Sequence, residues 1–112
     1  MEGSWQLEKY EEFIHDASSQ LHEIIEGEAY FEPDGKGKEK LNFGIYFHAV
    51  YKTDTIRDQY SGCYRVTEGR QLELQMLKDT VIAEFDHSSK NHLVFRTTFK
   101  PNRSSLVYVR KN

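Results

Sequence analysis

The chain has little or nothing of several features that would each point to a particular class of protein. Cys63 is the only cysteine among the 112 residues, so no intrachain disulfide can form. No hydrophobic run approaches the length of a membrane span, so a transmembrane protein is not expected. The formal net charge is −3, which argues against a broad basic surface for nucleic acid. We therefore expect one soluble globular domain over residues 1–112.

The motifs of common catalytic and metal sites are also missing. There is no Gly-X-Ser-X-Gly elbow, and the adjacent residues Asp86, His87 and Ser88 cannot orient as a catalytic triad. The segment 34–40 lacks the P-loop pattern that would hold a phosphate. His87 and His92 flank a turn, but their spacing fits neither a helical zinc pair nor a zinc finger. We predict a protein that is not an enzyme and that has no catalytic residue, metal or cofactor.

The beginning of the chain has no basic segment followed by an apolar one, which is the pattern of a signal peptide. If Met1 is the native start, the expected compartment is the cytoplasm. If a leader has been removed, the protein is expected to be exported or to belong to the cell envelope. The sequence leaves both alternatives open.

The chain does contain many aromatic residues and a long alternation of apolar with polar side chains. Aromatic residues make up 13% of the chain, a composition that favours β-sheet. From Leu41 to Tyr51 every second residue is apolar, which is typical of a half-buried strand. Turn-forming residues separate the other predicted strands, which are residues 4–10, 28–32, 55–67, 71–76, 80–85, 92–99 and 105–111.

Eight short strands joined by hairpin turns predict an antiparallel meander with one covered face. Such a meander covers a face most simply by closing into an up-and-down barrel, and a two-sheet sandwich is the alternative.

The hydrophobic period changes over residues 14–26, directly after the first predicted strand. Ile14, Ala17, Leu21 and Ile25 recur at helical spacing, and Gly27 is a natural helix stop. We therefore predict one short amphipathic helix that lies near one mouth of the barrel. His22, on or near this helix, is expected to be solvated or half-buried.

An ordered set of short motifs resembles the small bacterial lipocalin-like domains, which belong to the calycin group of barrels. The set begins with Gly3-Ser4-Trp5 and ends with Tyr108-Val109-Arg110. Between them come Phe31-Glu32-Pro33-Asp34-Gly35, Gly62-Cys63-Tyr64 and the leucine-containing strands "QLELQ" and "HLVF". The resemblance covers nearly the whole chain. It implies an eight-stranded lipocalin-like barrel and a non-enzymatic role in binding.

In lipocalins the signature tryptophan closes the barrel floor and packs against an arginine of the last strand. The resemblance therefore implies that Gly3, Trp5 and Arg110 form a structural signature, with Arg103 as the less favoured partner for the ring. A guanidinium over an indole face would contribute about 0.5–2 kcal/mol. Trp5 is then a structural plug, and a ligand site is expected at the opposite mouth.

The inward face of the barrel is the best candidate for a site, because small apolar ligands bind such surfaces. Asp58 shares a face with Ile56 and Tyr60; either it binds a ligand's polar head, or a bulge or the strand end exposes it. The candidate ligand-binding residues are Phe43, Phe47, Ile56, Asp58, Tyr60, Tyr64, Met76, Phe85, Phe95 and Tyr108.

Two functions remain open at this point. In the first, the barrel binds a small hydrophobic or amphipathic ligand. In the second, large side chains fill the barrel, and it acts through its surface as a protein-interaction or envelope-associated module.

Overall fold

The computed structural model describes residues 2–14, 18–33, 40–100 and 103–112 and shows an all-β protein. Eight strands follow one another in sequence order around a closed barrel, and every neighbouring pair is antiparallel. The predicted antiparallel up-and-down barrel is confirmed, and the sandwich alternative is wrong. Within the described ranges, no helix is long and apolar enough to cross a lipid bilayer.

The strands differ in length, and the two hairpins that begin the barrel are the longest. The strands are β1 (Gly3–Ile14), β2 (Ser18–Phe31), β3 (Leu41–Tyr51), β4 (Asp54–Val66), β5 (Gln71–Gln75), β6 (Thr80–Ser89), β7 (His92–Lys100) and β8 (Arg103–Lys111).

Strand β3 shows how the sequence pattern builds the core. Its residues Leu41, Phe43, Ile45, Phe47 and Ala49 are all buried, while the residues between them face outward. Successive side chains of a strand point to opposite faces, so this alternation places one apolar row inside the barrel. The same row continues across the register onto β4, where Leu41 pairs with the buried Tyr64.

The predicted helix over residues 14–26 is wrong for the part that the structure describes. Residues 18–26 belong to strand β2, Ile14 ends strand β1, and residues 15–17 lie outside the described ranges. Of the apolar residues that suggested a helix, Leu21 and Ile25 lie on the outer face of β2, where each is 55% exposed. Their spacing reflects the outside of a strand that contains a bulge.

Bulges in β1 and β2 change which residues face inward. In β1 the buried side chains are Trp5 and Leu7, and after a register shift between Leu7 and Lys9 they are Tyr10 and Glu12. Strand β2 has a corresponding shift between Ile24 and Glu26. A bulge adds one residue to one strand of a pair and so reverses the inward phase beyond it. As a result, polar residues enter the barrel.

The barrel floor, which is the end of the barrel around Trp5, differs from the expected arginine clamp. Trp5 is buried, as predicted, but the cation over its ring is Lys111, whose Nζ lies 5.3 Å from the ring centroid. Arg110 lies on the other face of β8 and donates a hydrogen bond to Gln6 Oε1 at 2.9 Å. Arg103 begins β8 at the far end of the barrel, where its backbone pairs with Ile14.

Gly3 lies at the start of β1 and has a backbone conformation that favours glycine. Its φ of +100° lies in a region that other residues rarely adopt, so glycine allows the chain to enter the strand there.

One part of the barrel wall is short. Strand β4 pairs with β5 only from Cys63 to Val66, so along Asp54–Gly62 it pairs with β3 alone among the described residues. Gly62 marks the point of separation, because a Cβ there would collide with the carbonyl oxygen of Gln75, the last residue of β5. The hydrogen-bonded wall is therefore interrupted between β4 and the turn that joins β5 to β6, and we call this interruption in the strand pairing the opening.

Candidate functional site

The inward face becomes polar at the end of the barrel opposite Trp5. We call this region the cup. Four buried polar or charged side chains occur among the described residues, and all four lie here: Glu12, His22, Thr97 and Ser105. The register places them with other inward-facing residues, so that the described lining of the cup comprises Tyr10, Glu12, His22, Ile24, Ile56, Asp58, Tyr60, Thr97 and Ser105.

The hydroxyl of Tyr10 links two polar groups in the cup. It donates a hydrogen bond to Glu12 Oε2 at 3.1 Å, and Ser105 Oγ lies 3.1 Å from the same oxygen. A phenol has a single proton, so Ser105 is the donor in the second bond. Burial is the main cause that raises the pKa of Tyr10 well above its ordinary value, and the negative charge of Glu12 adds to it. Tyr10 therefore stays neutral with its proton directed to Glu12.

Tyr60 and Asp58 form a second polar pair, on strand β4. Both face inward, because Asp58 pairs with the buried Phe47 and Tyr60 pairs with Ile45 in an unbroken register. Burial raises the pKa of Tyr60 well above its ordinary value, and the charge of Asp58 and a hydrogen bond with it raise the pKa further. The expectation that a bulge or strand end exposes Asp58 is wrong, because Asp58 is half-buried in a regular part of β4.

The side chain of His22 is positioned by aromatic contacts of its ring and by a hydrogen bond of one of its two nitrogens. The ring centroid lies 5.1 Å from that of Tyr10 and 5.4 Å from that of Tyr51. Nδ1 lies 3.0 Å from the carbonyl oxygen of Gln20, which can only accept, so Nδ1 carries the proton. Nε2 is buried and makes no hydrogen bond to any described residue. The hydroxyl of Thr97, also buried, has no such bond within the same ranges.

The structure divides the predicted ligand-binding residues into four groups. Phe43, Phe47, Tyr64 and Phe95 are buried in the core. Ile56, Asp58 and Tyr60 line the cup, and Met76 and Phe85 are half-buried against the core. Tyr108 does not face inward, because it lies between the buried residues Val107 and Val109 on β8. Its ring instead contacts Lys9 on the outer surface, with Nζ 5.9 Å from the centroid.

Six residues of the cup were not predicted from the sequence: Tyr10, Glu12, His22, Ile24, Thr97 and Ser105. Tyr10 and Glu12 face inward only because of the bulge in β1, and His22 was placed on a helix. A polar residue on the inward face of a strand breaks the apolar alternation by which that face is identified. The only sequence signal was the failure of the alternation itself after Leu7.

His92 and Asp86, near the β6–β7 turn, are engaged with other protein groups. His92 Nδ1 lies 2.8 Å from Ser89 Oγ, and His92 Nε2 lies 3.5 Å from Glu8 Oε1. Asp86 accepts a hydrogen bond from Arg70 at 2.8 Å. Across the described ranges, no three His, Cys, Asp or Glu side chains are grouped as a metal site would require.

A groove of about 690 Å³ crosses the outside of the barrel next to the β4–β5 turn. It is lined by residues of both charges, which include Arg70, Glu84 and Arg96. The ion pair between Arg70 and Asp86 borders this groove. Phe85, Val94 and Leu106 add apolar surface to the groove, which is open to solvent, whereas the lining of the cup is largely buried.

Comparison with family models, curated proteins and solved structures gave no match for this chain.

Proposed function

We propose that the chain is a non-enzymatic, lipocalin-like binding module that holds a small amphipathic molecule in the cup. The observation that carries this proposal is the buried Nε2 of His22, which makes no hydrogen bond to a described residue although it faces the inside of the barrel. A buried polar atom without a partner costs about 1–3 kcal/mol, so a group that binds there is stabilised.

The opening in the wall supports the same proposal. It leaves Ile56 and Tyr60 of β4 half-buried, and Met76 in the β5–β6 turn is half-buried as well. Binding sites for small molecules combine an apolar lining with a few placed polar groups. The cup and the opening together offer that combination to a molecule with a polar head and an apolar body.

Two features support a lipocalin-like assignment. The barrel has eight strands in up-and-down order, and Trp5 lies buried near its first residues, after a Gly3 with positive φ. The use of Lys111 in place of an arginine over the ring departs from the lipocalin pattern.

Uptake of the uncharged dye Nile red tests the proposal, with fatty acids and retinol as competitors. We expect the emission of the dye to rise on binding and to fall as a competitor displaces it. Tyr60→Ala, in the cup, should weaken uptake, whereas Tyr46→Ala on the outer face of β3 should not. A folded wild-type protein that takes up no dye would overturn the proposal.

The second candidate is a filled barrel that acts through its surface as a protein-interaction or envelope-associated module. Exposed apolar side chains on the β5–β6 hairpin favour it, since Leu77 is 97% exposed and Ile82 is 50% exposed. This second function is supported over ligand binding if the wild-type barrel takes up no dye and if Leu77→Ser shows less self-association, or less adsorption to apolar resin, than the wild type.

A further inference from the structure

The chemistry of His22 restricts the kind of group that can bind in the cup. Because Nδ1 donates to the carbonyl of Gln20, the neutral ring has its lone pair on Nε2. That lone pair can only accept a hydrogen bond. A group that satisfies Nε2 must therefore bring its own N–H or O–H.

Apart from the hydroxyl of Thr97, the other hydroxyl protons of the cup are directed to groups within the protein. Tyr10 donates to Glu12, and Ser105 donates to Tyr10. Tyr60 is hydrogen-bonded to Asp58, and a carboxylate can only accept, so the phenol is the donor. Thr97 contributes one further hydroxyl. Acceptors thus outnumber available donors among the described polar atoms that line the cup.

The two carboxylates of the cup, Glu12 and Asp58, make the electrostatic potential of its interior negative. The negative charges of Glu12 and Asp58 each contribute to raising the pKa of Tyr10 and of Tyr60, so their field reaches both hydroxyls. An anionic head placed among these groups would meet like charge, and it would also lack a proton for His22.

We propose, on the basis of the function proposed above, that the ligand of the cup is an amphipathic molecule whose head donates a hydrogen bond to Nε2 of His22. An alcohol and a primary ammonium share this chemistry, and a fatty carboxylate does not. The apolar body lies against the half-buried side chains at the opening, where Ile56 and Met76 are found. The described residues offer no grouping for a metal ion in the same place.

Three compounds with the same twelve-carbon chain separate the contributions of head and body: dodecanol, dodecylammonium and dodecanoate. Each is used at neutral pH to displace Nile red from the full chain, dodecanol below its solubility limit and the two ionic compounds below their micellar concentrations. We expect the alcohol and the ammonium to displace the dye about tenfold more effectively than dodecanoate, in line with one buried hydrogen bond gained.

Substitutions of His22 assign the preference to Nε2. His22→Phe keeps a ring beside Tyr10 and should remove about tenfold of the affinity for dodecanol while leaving dodecanoate unchanged. His22→Gln places an amide oxygen near the position of Nε2 and should restore most of the preference. His48→Phe, on the outer face of β3, is the matched control and should behave as the wild type.

The outcomes distinguish the two proposals. If all three compounds displace the dye equally, or if dodecanoate is the best, the ligand site stands but the donating head is wrong. If the preference survives in His22→Phe, the assignment to Nε2 is wrong. If no compound displaces the dye and the dye itself does not bind, the proposed function fails.

Discussion

The hydroxyl groups of Tyr10 and Ser105 lie 3.1 Å apart across the seam where the first and last strands of the barrel meet. The two residues are 95 positions apart in the chain, so this bond forms only when the barrel has closed. The bond therefore contributes both to the pairing of β1 with β8 and to the polar lining of the cup. A substitution here should therefore affect both stability and binding.

Replacing Tyr10 by Phe should lower the free energy of unfolding by about 1–3 kcal/mol, because Glu12 then loses a buried donor. The phenyl ring can still pack on Phe47, whose centroid lies 4.5 Å away. Urea denaturation measures the change. Tyr46→Phe, on the exposed outer face, is the control and should change stability by less than about 0.5 kcal/mol. Equal effects at the two positions would mean that the hydroxyl of Tyr10 contributes nothing specific.

Alkaline pH should destabilise the barrel through Tyr10 and Tyr60. Burial raises the pKa of both phenols in the folded state above the ordinary value of 10.0, so the folded protein holds these protons more tightly than the unfolded chain. The stabilisation is complete below about pH 10 and is lost progressively as the pH rises above it.

The tyrosinate absorbance of the wild type and of Tyr60→Phe should superimpose through pH 10 and separate only when the barrel unfolds. A difference of one tyrosinate between two folded proteins near pH 10 would show that Tyr60 ionises normally.

The lysine above Trp5 should be visible in fluorescence, because Trp5 is the only tryptophan. Lys111→Ala removes the ammonium 5.3 Å from the ring centroid and should shift the emission, at a cost of about 0.5–1 kcal/mol in stability. Arg110→Ala should leave the emission unchanged, since its guanidinium is bonded to Gln6. If instead Arg110→Ala shifts the emission and Lys111→Ala does not, the cation over Trp5 is Arg110, as the lipocalin resemblance implies.

Two glycines provide a matched test of the short wall. Gly62→Ala should destabilise the barrel by about 1–3 kcal/mol, because the new Cβ collides with the backbone of Gln75. Gly44→Ala should be neutral or slightly stabilising, since nothing lies within 4 Å of the added Cβ. Thermal unfolding of the two variants checks this. Similar melting temperatures would mean that β4 and β5 do not approach closely at Gly62.

The barrel could be predicted from the sequence where one apolar row runs unbroken along a strand. In β3 the row from Leu41 to Ala49 is both regular and buried, and the turns on either side limit its length. In β8 the alternation offered two rows, one with Tyr108 and one with Val107 and Val109. The valines face inward, and the preference for the larger aromatic side chain was wrong.

The cup could not be predicted, for two physical reasons. A bulge in β1 moves the inward phase by one residue, and nothing in the order of Leu7, Glu8 and Lys9 marks where the extra residue enters. In β2 the outward residues Leu21 and Ile25 are apolar while the inward His22 is polar. A prediction from periodicity places apolar residues in the interior. For β2 it therefore gave the wrong inward face, and it gave a helix where the structure has a strand.

A titration of the full chain with dodecanol, followed by the backbone amide NMR spectrum, tests whether a ligand binds inside the barrel. We expect the largest shifts in the strand segments that form the cup, around Tyr10, His22, Tyr60 and Thr97. The amides near Trp5 at the floor should hardly move. Shifts confined to the outer groove near Arg70, or no shift at any amide, would contradict a ligand site inside the barrel.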